Sequence, residues 1–156
     1  MKEIENVWDY PRPPRLEKVD FNVKVYFNNV KIADSVNTYR VLETSHPPVY
    51  YIPIEDIRKE FLKVTDYTSF CEFKGNAGYY DLEVNDKKVS NAGWYYPSPV
   101  KEYELIKNYV AFYPQKMDEC YIDDEKVIHQ KGNFYGGWIT ENIVGPFKGH
   151  AGTESW

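Results

Sequence analysis

Apolar residues in this chain recur with a period of two, in short runs cut off by asparagine, aspartate, glycine and proline. Side chains alternate faces along a β-strand. The run from Asn22 therefore puts Val23, Val25 and Phe27 on one face and Lys24 and Tyr26 on the other. Asn28-Asn29 follows. Asparagine tolerates the positive φ of a tight hairpin turn, so Val30 to Ala33 is predicted to return beside the first run. Further strands are predicted at Thr38–Glu43, Tyr50–Ile52, Phe70–Lys74, Tyr80–Val84, Lys88–Ser90, Ala92–Tyr96, Tyr109–Tyr113, Cys120–Ile122 and Lys126–His129. Turns are expected at Gly75-Asn76-Ala77-Gly78, Asn85-Asp86 and Asp123-Asp124. Pro97 and Pro99 stop the pairing, because proline has no N–H to give to a ladder. Short strands at this spacing predict a mainly β fold of two packed antiparallel sheets.

One segment breaks the rhythm. Ile54, Ile57, Phe61 and Leu62 fall at i, i+3, i+7 and i+8, a helical stripe, behind Pro53 and with Glu55 and Asp56 in the first turn. Proline and acidic side chains suit a helix N-terminus, so one short helix is expected here. Glu102 to Lys107 is expected to form a further helical turn. Pro11, Pro13 and Pro14 favour an extended path, and residues 1–21 read as an N-terminal arm before a β-domain over 22–130. Residues 131–156 form a C-terminal tail with six of the nine glycines and the apolar Phe134, Tyr135, Trp138, Ile139, Ile143, Val144 and Phe147. Disordered tails are poor in such residues. The tail is therefore expected to pack on the domain or on a neighbouring copy, which admits a homo-oligomer.

Charge and cysteine content exclude several function classes. The 156 residues include 19 basic and 24 acidic side chains, a net charge of −5 without a Lys/Arg run. That balance argues against nucleic-acid binding. Cys71 and Cys120 lie far apart, and three scattered histidines do not complete a four-ligand zinc site; no metal and no cofactor are expected. No run of about 18 apolar residues suits a membrane span, and the first residues do not resemble a secretory leader. A cytoplasmic location with reduced thiols is expected.

Chemically able residues concentrate in two patches, Glu43 to Pro53 and Cys71 to Pro99. Cys71 and Lys74 stand three apart; an ammonium beside a thiol favours the nucleophilic thiolate, and a desolvated lysine can itself attack carbonyls. The plainer account is a small buried cysteine with a solvated lysine. Glu43 and His46 could move protons, although positions i and i+3 of a strand point to opposite faces unless the prolines after His46 bend the chain. Glu43 in an apolar strand needs a partner, and Lys74 or Arg40 is expected to supply it. The aromatic share is 17%. Tyr51, Tyr79, Trp94 and Tyr96 could wall a ligand, including a cation held by ring faces, or form an ordinary aromatic core.

The runs VKVYFNNVKIADS, RVLETSHPPVYYIP, CEFKGNAGYYDLEV, NAGWYYPSP and YVAFYPQKMD, in this order, resemble a bacterial and fungal family of small domains of unknown function with a nucleotidyltransferase-type label. The resemblance covers about residues 22 to 128. It implies a β-tent, two antiparallel sheets leaning together, similar to methionine sulfoxide reductase B and the drug-binding domain of cereblon. The signature matches at Glu43, Tyr51, Pro53, Cys71, Lys74, Gly75, Tyr79, Trp94, Tyr96, Pro99, Phe112 and Tyr113. Two departures stand out. The four zinc cysteines of related β-tent proteins are absent, and the tail exceeds the family's usual length, as in cyanobacterial members.

The transferase label does not fit the residues. Nucleotidyl transfer needs carboxylates placed to hold divalent metals and a cradle for phosphates. Asp81/Glu83 and Glu102/Glu104 have no such cradle upstream, and Gly75-Asn-Ala-Gly78 lacks the phosphate-loop spacing. The expected function is binding of a small molecule or modified side chain in a polar-aromatic pocket. Glu43 and Lys74 would supply charge; Tyr51, Tyr79, Trp94 and Tyr96 would form the walls. An enzyme using Cys71 or Lys74 as nucleophile, with Glu43 or His46 as acid/base, is the alternative. A third is an assembly protein acting through its aromatic tail.

Overall fold

Alternation becomes pairing along most of the chain. The structure, a computed structural model, describes residues 3–132, 135–149, 152–153 and 155–156. In chain order the strands are β1 (Glu5–Asn6), β2 (Arg15–Lys18), β3 (Val23–Phe27), β4 (Val30–Ser35), β5 (Tyr39–Leu42), β6 (Val49–Tyr51), β7 (Leu62–Cys71), β8 (Gly75–Val84), β9 (Lys87–Tyr95), β10 (Ala111–Phe112), β11 (Glu119–Ile122), β12 (Glu125–Lys126), β13 (Ile128–His129), β14 (Trp138–Ile139) and β15 (Ile143–Val144). Two four-stranded antiparallel sheets, β10-β9-β8-β7 and β12-β11-β3-β4, are joined by a three-stranded sheet, β2-β5-β6. The fold is mainly β with several antiparallel sheets, as the alternation predicts.

The asparagine turn forms as expected: Asn28 and Asn29 take φ of 51° and 65° and close β3 onto β4. The main core gathers Val23, Val25 and Phe27 with Ile32, Leu82, Val84, Phe112 and Ile122. A second cluster, rich in tyrosine, holds Val41, Tyr51, Tyr79, Trp94, Tyr96, Tyr103 and Tyr113. Strand β8 serves both. Ala77 and Tyr79 enter the aromatic cluster and Leu82 and Val84 the main core. The buried positions pass from odd to even numbers across a register shift between Tyr80 and Leu82. Opposite that shift, Asn91 takes φ of 49° and donates its N–H to Asp81 Oδ1 at 2.8 Å.

The helical stripe packs on the main core, with Ile57 buried and Ile54, Phe61 and Leu62 partly buried, but through two 3₁₀ turns, Ile54–Asp56 and Lys59–Phe61. Ile57 between them is extended and bridges Ala33, and Arg58 N–H donates to the Ile32 carbonyl at 2.8 Å. Pairing with the edge of β4 thus breaks the helical ladder. Lys101–Ile106 is helical on either side of a kink at Tyr103, where φ is −117°. The turn expected at Gly75–Gly78 lies earlier, at Glu72–Lys74, and Gly78 sits inside β8. A Cβ there would approach Tyr95 Cζ to 2.6 Å, so the glycine admits a ring rather than making a turn.

The two ends pack together. β1 pairs in parallel with β15, and Val7, Tyr10, Leu42 and Ile143 form a third cluster with Phe147 against it. Arg40 reaches Glu5 at 3.0 Å and Glu17 at 2.7 Å, tying β1 and β2 to β5. Trp138 is 1% exposed, belongs to the main core and donates its indole N–H to the Phe112 carbonyl at 3.3 Å. Phe147 is half-buried, and Phe134 lies outside the described residues. No helix among the described residues is long and apolar enough to cross a membrane.

Candidate functional site

A cavity of about 260 Å³ opens between β5–β6 and the sheet of β7, β8 and β9. All eight residues singled out from the sequence line it: Glu43, His46, Tyr51, Cys71, Lys74, Tyr79, Trp94 and Tyr96. Glu43 and His46 reach the same space because the chain turns between them. His46 N–H donates to the Glu43 carbonyl at 3.0 Å, and Ser45 at the bend takes φ of 71°. A non-glycine residue in that region is strained and persists only where its surroundings fix it. Here the N-terminal segment fixes it: Ser45 N–H donates to the Val7 carbonyl and Thr44 Oγ1 to the Tyr10 carbonyl. The carboxylate partner of Glu43 is neither Lys74 nor Arg40 but Arg12, at 3.6 Å, while Arg40 is engaged by Glu5 and Glu17.

His46 is 9% exposed, with its ring edge-on to Tyr135 at 4.9 Å. Nδ1 lies 2.9 Å from the Thr44 carbonyl, which can only accept. The neutral ring therefore carries its proton on Nδ1 and leaves Nε2 as the basic nitrogen. Burial pulls the imidazole below its ordinary value of 6.5; Glu43 opposes this, and Lys148 and Arg12 add to it.

Cys71 ends β7, and Lys74 lies in the turn into β8, with its N–H on the Cys71 carbonyl at 3.2 Å. That turn returns Nζ to 3.5 Å from Cys71 Sγ. Gly75, at φ 111°, lets the chain pass under Ser98–Val100, and the Val100 N–H donates to the Lys74 carbonyl at 3.0 Å. Lys74 is 6% exposed and its Nζ lies 5.6 Å from the centroid of the Tyr103 ring. Cys120, the other thiol, is buried in the main core, and burial pushes it well above the usual thiol range.

The aromatic wall is cross-braced. Trp94 Nε1–H donates to Tyr51 Oη at 3.2 Å, and Ser69 Oγ and Tyr79 Oη are 2.8 Å apart. Trp94 packs on Tyr113 at 4.6 Å between ring centroids. Burial holds the Tyr51, Tyr96 and Tyr113 phenols far above the usual range, so each stays neutral and able to donate. Pairing register sets this arrangement: Tyr79 faces Trp94 across β8–β9, and Trp94 faces Ala111 of β10.

Several lining residues were not among the site candidates read from the sequence, among them Ser69, Tyr113, Gln130, Tyr135, Gly136 and Lys148. Three of them, Tyr135, Gly136 and Lys148, come from the tail, and Gln130 stands just before it. Gly136 lies so close to Trp94 that a Cβ would stand 2.5 Å from Cη2, and Gln130 pins the tail by donating to the Lys148 carbonyl at 2.6 Å. Among the described residues, no group of three or more His, Cys, Asp or Glu side chains is placed to hold a metal ion.

Residues 15–123 match the family described as Domain of unknown function (DUF427), under a nucleotidyltransferase-type label. The chain belongs to this family. No curated protein matches it. The DUF427 match spans β2 to β11 and includes all eight residues named above, whereas Gln130, Tyr135, Gly136 and Lys148 lie beyond it. Segments on both sides of the family region therefore build this cavity: the N-terminal residues brace the Glu43–His46 turn, and the tail forms one wall.

Proposed function

We propose that the cavity binds a small organic molecule, gripped between aromatic faces and anchored by a few polar groups. The observation that carries this reading is the concentration of polar and aromatic side chains from both patches around one space. Binding sites are concave, mostly apolar and furnished with a few convergent polar groups. A volume of 260 Å³ corresponds to about nine water molecules' share of liquid, so the occupant is small.

A thermal-shift screen of metabolites and nucleotides tests the reading, since a ligand at 100 times its dissociation constant stabilises by about 2.7 kcal/mol. Stabilising compounds should also slow alkylation of Cys71, which lines the cavity. Stabilisation without protection of Cys71, or a screen without a single hit, would overturn it.

A second reading is favoured by one distance, the 3.5 Å from Lys74 Nζ to Cys71 Sγ. In that reading Cys71 is a nucleophile and Glu43 or the Nε2 of His46 moves the proton. It requires alkylation of Cys71 at neutral pH to outpace that of a free thiol peptide, and to slow in Lys74→Met. An ordinary rate in the wild type removes it.

A further inference from the structure

Lys74 is a buried cation without a carboxylate partner among the described residues. It is 94% removed from solvent, and its Nζ contacts are a thiol sulfur at 3.5 Å and a tyrosine ring. No carboxylate of a described residue forms an ion pair with it. The two acidic side chains on the cavity wall are placed elsewhere: Glu43 faces Arg12, and Glu72 is exposed. Lys148, the second lysine of the lining, lies over a ring as well, 5.5 Å from the centroid of Tyr135. A buried ammonium is costly unless a charge and hydrogen-bond acceptors meet it. A ring face replaces only part of that, and a thiol is a weak acceptor.

We propose that the missing charge is the ligand's: the cavity takes a small planar organic carboxylate, with its carboxylate on Lys74 Nζ and its flat body against Tyr51, Tyr79, Trp94 and Tyr96. The proposal rests on the cavity being a ligand site and narrows what that site accepts. Aromatic walls by themselves also suit a methylated amine. Two lysines on the same lining repel such a cation in a space of low dielectric. Phosphate groups fit poorly as well. The lining contains no arginine fork, and its charges are point-like ammonium groups rather than a row of backbone N–H donors. A monocarboxylate matches one buried ammonium, with the neutral phenols of the wall available as further donors.

Three probes of similar size and different charge separate these cases: benzoate, benzamide and benzylammonium. Each is titrated into full-length protein at low ionic strength, with the indole N–H resonance of Trp94 as reporter. Benzoate should bind at least about tenfold tighter than benzamide, the ratio that one charge-assisted hydrogen bond supplies. Benzylammonium should bind weakest. In Lys74→Met the benzoate preference should shrink to within about threefold, and the unliganded variant should melt at a higher temperature than the wild type, because a buried unpaired charge is gone. Benzamide or benzylammonium matching benzoate at Trp94 in the wild type would overturn the anion assignment and leave a ligand site standing. Silence of Trp94 towards all three probes would overturn both. The wild-type comparison decides the matter even if the variant fails to fold.

Discussion

His46 shows how a residue's chemistry depends on the backbone beneath it. Spacing along a strand separates it from Glu43, yet the bend at Ser45 brings both to one wall. The sequence carried the hint in Pro47-Pro48, but the bracing from Val7 and Tyr10 lies more than thirty positions upstream and left no local mark. Burial lowers the His46 affinity for protons relative to the unfolded chain. The unfolded state therefore binds more protons below pH 6.5, and folding stability falls as the pH drops through that window. His46→Gln should flatten the acid side of a melting-temperature profile between about pH 5 and 8. A profile with the same acid slope in the variant would show that His46 is not the group responsible. The cavity's polar and aromatic residues were legible because they crowd two motifs. Lys148 and Tyr135 were not, because a glycine-rich tail does not announce where it docks.

Elements were most legible where both faces of a strand differ. Strand β3, buried at Val23, Val25 and Phe27, was readable from its alternation alone. Strand β7 was read short because Val64, Tyr67 and Phe70 are exposed on the sheet's edge, and an edge strand need not alternate. Gly75 and Gly78 of β8 suggested a turn, but Gly78 serves close approach between neighbours. Gly93 is the sharper case. A Cβ there would lie 2.7 Å from the Ala111 carbonyl oxygen, backbone that cannot rotate away. Gly93→Ala should cost about 1–3 kcal/mol in urea unfolding and shift the adjacent Trp94 resonance. An unchanged midpoint would mean that β9 and β10 yield more easily than a packed ladder should.

On the scale of the whole molecule, the chain's ends close the fold. The tail was expected to pack, and Trp138 lies in the main core against Tyr50 and beneath Phe112. That it also walls the cavity could not be read, since Gly136 and Gly137 fix position only once their neighbours, Trp94 and Pro47, are known. Trp138→Ala should cost about 3–5 kcal/mol, as large-to-small changes at buried aromatics do. Cutting the chain after Lys131 should lower the melting temperature by at least as much as Trp138→Ala does. Truncated protein that melts like the full chain would show the tail to be an appendage.

The most direct measurement of cavity binding reads all four tryptophans at once. Indole N–H resonances of Trp8, Trp94, Trp138 and Trp156 are followed by two-dimensional NMR while compounds that raise the melting temperature are titrated in. Trp94 lines the cavity, Trp138 is sealed in the core, and Trp8 and Trp156 pack edge-on at 5.2 Å away from the lining. The expected result is a saturable shift of Trp94, with Trp8 and Trp156 unmoved. Shifts confined to Trp8 and Trp156, or stabilisation that leaves Trp94 in place, would contradict a ligand site between these sheets.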